Sequence, residues 1–178
     1  MKKIALIIAL IIAPLATIAQ NPFASFEDDK DVSSVVVTKN MFKLLAKIDI
    51  ESDDPEVKEY MELVNNLNNI QVYSTSNPAV AERMNSAVTT YISGNKSLSE
   101  LMRVKDDGKN IKFYSKEGKN ENFVSELLMH LQGDIDGKYM SVVMSITGNI
   151  DLKKISKLTK DLNVPGSDEL KNVEKKQK

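Results

Sequence analysis

The sequence predicts an α+β domain, a single two-layer unit in which a mainly antiparallel sheet of five to six strands carries its helices on one face. Three observations carry this reading. Asp107-Gly108-Lys109, Glu117-Gly118-Lys119 and Asp136-Gly137-Lys138 are Gly-centred turn signals, and the segments between them alternate between apolar and polar residues. Connections this short join antiparallel neighbours, so the second half of the chain reads as a four-strand meander over about 98–106, 110–116, 121–132 and 138–147. The first half instead spaces its apolar residues at three and four, the helical period, between two short β-branched runs.

Residues 1–20, MKKIALIIALIIAPLATIAQ, read as an export signal. Lys2 and Lys3 give a positive start, Ile4 to Ile12 form an apolar run too short to span a bilayer, and Thr17-Ile18-Ala19 offers small residues at a cleavage site, placing the cut after Ala19. With no cysteine in the chain, no lipid attachment at a mature terminus, disulfide, thiolate metal site or cysteine nucleophile is expected. The expected location is periplasmic or secreted, without a membrane span in the mature chain. Cleavage removes two of 24 basic residues and none of 25 acidic ones, so the mature charge is 22 − 25 = −3. Such a balance lacks the positive excess of a nucleic-acid binder, and no nucleic acid is expected as partner.

Residues 20–32 form a lead-in whose Phe23 and Phe26 are predicted to pin it to the body of the domain, which spans 33–164. Val35-Val36-Val37 predicts a short strand, and Thr38 is positioned to cap a helix in which Met41, Leu44, Leu45 and Ile48 recur at helical spacing. The acidic stretch from Asp49 to Asp54 interrupts the pattern. Pro55 then opens a second helix, or a kinked continuation of the first, with Val57, Tyr60, Met61 and Val64 on one stripe. Ile70-Gln71-Val72-Tyr73 alternates as a strand, and Asn77-Pro78 pairs a cap with a first-turn residue for a helix running to about Ser93, its stripe formed by Val80, Met84, Ala87, Val88 and Tyr91. After the meander, Asn149 or Asp151 is placed to cap a last helix through Leu152, Ile155, Leu158 and Leu162. Pro165-Gly166 ends it, and the polar residues 165–178 are predicted to be a disordered tail.

Chemistry-bearing motifs are sparse. His130 is the single histidine, so no His–His metal pair forms within one chain; it shares a strand face with Glu126, which leaves an acid–base pair as one reading. The carboxylates at 27–29, 49–54 and 134/136 lack calcium-loop spacing and are better explained by turn chemistry and helix N-terminal charge. No metal, cofactor or catalytic residue is assigned.

The meander offers more. If Met102, Val104, Ile111, Phe113, Met140, Val142, Met144 and Ile146 face the helices, the pleat sends Arg103, Lys105, Lys112, Tyr114, Lys116, Tyr139, Ser141, Val143 and Ser145 to the other side, where Tyr73 joins them. Tyrosine is a favoured anchor at contact surfaces, so the predicted binding surface is this outer face, with Tyr73, Tyr114 and Tyr139 at its centre and Arg103, Lys112, Glu126 and His130 around them.

Phe23-Ala24-Ser25-Phe26, Val35-Val36-Val37, Met41 to Leu45, Leu101-Met102-Arg103-Val104 and the ending Ser145 to Leu158 together resemble the DUF4252 family of exported Bacteroidetes proteins. The resemblance covers nearly all of the mature chain and implies one envelope domain, with no activity or catalytic residue to carry over. Two functional readings follow: a non-catalytic binding or interaction module for a protein or glycan in the envelope, which is preferred, and a hydrolase-like envelope enzyme with an unadvertised carboxylate and His130 site.

Overall fold

The valine run extends in both directions into strand β1 (Ser33–Thr38), which turns directly into helix α1 (Lys39–Ile48). Pro55 fixes the first turn of α2 (Pro55–Asn66), and strand β2 (Leu67–Thr75) follows without a break. Asn77 caps α3 (Pro78–Gly94): its side-chain oxygen accepts from the Ala79 and Val80 amides at 3.0 and 3.4 Å. The meander then supplies β3 (Leu98–Asp106), β4 (Lys109–Glu117), β5 (Phe123–Ile135) and β6 (Lys138–Asp151). This is a computed structural model, and it describes residues 21–48, 55–106, 108–120, 123–135, 137–152 and 154–155. The expected export segment, the acidic stretch 49–54, the expected continuation of the last helix beyond Ile155 and the expected tail lie outside the described residues.

The strands form one antiparallel sheet in the order β1-β2-β6-β5-β4-β3, so the α+β class holds. The long hairpin β5–β6 sits at its centre. Gly137 closes that hairpin at φ 79°, a left-handed conformation that glycine adopts without a Cβ penalty, and its amide donates to the Asp134 carboxylate at 2.7 Å. Gly148, at φ 148°, has a different task. β2 bulges between Leu67 and Asn69 against it, and a Cβ there would lie 2.8 Å from the Leu67 Cα and closer still to the Asn66 carbonyl.

The first face of the sheet carries the apolar set expected from the alternation. Ile70, Val72, Met102, Ile111, Phe113, Leu127, Met129, Leu131, Val142, Met144 and Ile146 are buried beneath Phe42 of α1, Leu63 and Val64 of α2, and the helical residues Leu152 and Ile155 just after β6. Each such aliphatic or aromatic side chain stabilises the fold by about 1.5–3 kcal/mol through apolar area removed from water. Among the described side chains of α1, Phe42 enters this core while Met41 and Leu44 are exposed.

The second face corrects the expectation that helices pack on one side only. α3 lies across it, with Val80, Met84 and Val88 packed on Tyr73, Leu128 and Val143. Phe23 and Phe26 of the lead-in complete this second cluster, at 1% and 3% exposure, so the lead-in is pinned as expected. The sheet is therefore sandwiched, and β5 and β6 are buried continuously from Glu126 to Leu131 and from Ser141 to Ile146.

Candidate functional site

Strand register turns the second face into a lattice of cross-sheet rows. Tyr73, Val143, His130, Lys112 and Arg103 lie opposite one another across β2, β6, β5, β4 and β3. The row on one side is Gln71, Ser145, Leu128, Tyr114 and Glu100; the row on the other is Thr75, Ser141, Gln132, Asn110 and Lys105. α3 packs on β2 and β6 and reaches Leu128 and Glu126 on β5. The face is thereby divided into a covered half and an open half.

In the covered half, Tyr73 is fully buried, contrary to its expected place on an open surface. Its hydroxyl donates to Glu27 Oε1 at 2.8 Å and accepts from Asn21 Nδ2 at 2.9 Å, and its ring packs near Phe23 and Phe26. Burial, with the Glu27 carboxylate beside it, pushes the phenol up to about 12. Arg83 of α3 pairs with Asp29, while Thr75 Oγ1 and Asn77 Nδ2 donate to Asp31 at 2.6 and 3.0 Å. The lead-in is thus a strap tied along its length to β2 and α3. Glu126 is buried as well, accepting from the Tyr91 hydroxyl of α3 at 2.8 Å, which leaves it engaged structurally and two rows from Lys112.

His130 sits at the boundary, 6% exposed. Burial, then the charge of the opposing Lys112, lowers its pKa to about 4, so the imidazole is neutral at neutral pH. Its Nε2, the Ser141 hydroxyl and the Asn110 side-chain oxygen are buried and make no hydrogen bond among the described residues. These three atoms belong to adjacent rows on the same face, reaching from Asn110 on β4 through His130 on β5 to Ser141 on β6. Buried polar groups without partners are costly, so each of these atoms is stabilised by any water or ligand group that reaches it.

The open half runs over β3 and β4. Arg103 and Glu100 are exposed and paired at 2.6 Å, Lys105 is exposed, Lys112 is half-buried, and Tyr114 is half-buried against the edge of the cluster beneath α3. Burial, with the nearby Glu100 charge, raises the Tyr114 phenol above its ordinary value. Tyr139 is exposed too, opposite Asp134, but three rows from Tyr114, which is about 20 Å at strand spacing. The three expected tyrosines therefore form no common platform: one is under the helix, one is in the open half and one is at the far hairpin.

A feature not visible in the sequence is a cleft of about 390 Å³ at the end of the sheet, lined by Lys39, Asn65, Asn66, Asn68, Ser125, Gly148 and Asn149 together with the Glu117-Gly118-Lys119 corner. The asparagine cluster from 65 to 69 is its sequence signal, hidden because it also reads as a loop. Among the described residues, no group of three or more His, Asp or Glu side chains is placed to hold a metal ion. No helix among them is long and apolar enough to cross a membrane.

A family model described as a domain of unknown function, DUF4252, matches residues 26–158. No curated protein and no solved structure matches the chain.

Proposed function

Since the chain belongs to the DUF4252 family, whose description names no activity, we propose from the site alone that it is a non-catalytic binding module of the cell envelope, exported by the signal at 1–19. It engages a protein or glycan through the open half of the second face. The observation that carries this reading is the meeting of two features at one place: the cationic rim of Arg103, Lys105 and Lys112 beside Tyr114, and the unpartnered polar atoms of His130, Ser141 and Asn110. The rim attracts an acidic partner and Tyr114 supplies rigid contact area, while a hydroxyl-bearing group satisfies the inner atoms. The structural engagement of Glu126 by Tyr91, two rows from His130, favours this reading over hydrolytic chemistry, because the carboxylate and the imidazole then form no acid–base pair.

Two measurements test the proposal. Intact mass of the envelope fraction is expected to show a mature chain beginning at Gln20; retention of Met1 to Ala19 would contradict export with cleavage. A photo-crosslinker at position 105, in cells with the native envelope, is expected to give a discrete adduct that disappears when Lys112→Glu and Tyr114→Ala are combined in a chain that remains folded. An adduct unchanged by those substitutions would move the binding surface elsewhere, the asparagine-lined cleft being the next place to look.

A further inference from the structure

The two edges of the sheet are built differently. The β3 edge carries Glu100, Arg103 and Lys105 and is broken by a bulge between Glu100 and Met102, devices that discourage pairing with another strand. The β1 edge has none of them. From Ser33 to Thr38 it contains no charge and no proline, and its register with β2 is unbroken from Ser33 opposite Ser74 to Thr38 opposite Asn69. Val35 and Val36 are 52% and 41% exposed, and the helix that folds back from this strand exposes Met41 and Leu44.

We propose that β1 is a pairing edge and that its occupant is a second copy of this chain, joined antiparallel to form a continuous twelve-stranded sheet. Several observations on this edge favour a copy over a different strand. A two-fold axis normal to the sheet pairs residues on the same face, so centring on Val36 sets Val36 against Val36 and Val35 against Val37, with Ser34 against Thr38 outside them. The neutral strand brings no like charges into opposition, whereas an acidic or basic partner would find no complement on it. The same operation carries α1 of the copy to the same side of the sheet, where two sets of Met41 and Leu44 leave water together.

The chain lacks cysteine, which makes the test direct. Directly opposed strand residues lie within the Cα separation of a disulfide. The protein purified from cells expressing the full gene is expected to be dimeric by light scattering at about 100 μM, a range in which a micromolar dimer is saturated. Val36→Cys, at the axis, is expected to oxidise to a covalent dimer, while Lys105→Cys on the other edge does not. Val36→Lys, shown to be folded by circular dichroism, is expected to be monomeric. A monomer at all concentrations overturns the proposal, as does a dimer that survives Val36→Lys. A chain that becomes dimeric only after residues 156–178 are removed would instead assign the edge to its own C-terminal segment and would equally overturn the second copy as occupant.

Discussion

Phe113→Ala is expected to lower the free energy of unfolding by about 3–5 kcal/mol, the cost of deleting a buried aromatic and leaving a cavity that its neighbours fill only partly. Phe113 is fully buried on β4, facing the core under α1 and α2, opposite Met129 on β5 and Met102 on β3. Lys112, one residue away, points to the other face, and Lys112→Ala is expected to change stability by less than about 1 kcal/mol. Denaturant titration of the two variants measures the contrast. Equal costs would mean that the facing of β4, and with it the placement of the open half, is wrong.

Acidification is expected to remove about 3 kcal/mol of stability through His130 alone. Its folded pKa, about 4, lies below the ordinary value of 6.5, so between these limits the unfolded chain binds a proton that the folded chain excludes. Stability is therefore unaffected by this group above pH 6.5, falls as the pH drops from 6.5 towards 4, and loses nothing further through it below that. His130→Leu removes both the titration and an unpartnered buried nitrogen. The variant is expected to match the wild type or exceed it slightly at pH 7, and to gain on it by about 3 kcal/mol at pH 4. Parallel stability curves across that range would place His130 in contact with water in the folded protein.

Much of the fold was legible because the meander obeys local rules. Gly108 and Gly137 sit in left-handed turns, and the alternation from Met102 to Ile146 correctly named the face that meets α1 and α2. The stripe Val80, Met84 and Val88 was also legible, but helical periodicity says that a face is buried without saying against which side of a sheet. The missed clue was continuity. Leu127-Leu128-Met129 and Val142-Val143-Met144 are uninterrupted apolar runs, the signature of strands covered on both faces, and the polar residues beside them, Gln71, Ser141 and Ser145, are compatible with burial under a helix. Tyr73 illustrates why residue type alone misplaced the site: its hydroxyl is satisfied by Asn21 and Glu27, far away in sequence, so a residue that reads as a surface anchor is part of the core.

The candidate site depends on α3 and the lead-in strap closing one half of the second face while leaving β3 and β4 open. Single cysteines in this cysteine-free chain measure that division directly, by the rate of thiol labelling under native conditions. Cysteine at 103 or 105 is expected to label at the rate of an exposed thiol, and cysteine at 143 or 145 only as fast as the protein unfolds. Rapid native labelling at 143 and 145 would show an open face across the whole sheet and contradict the confinement of the site to β3 and β4.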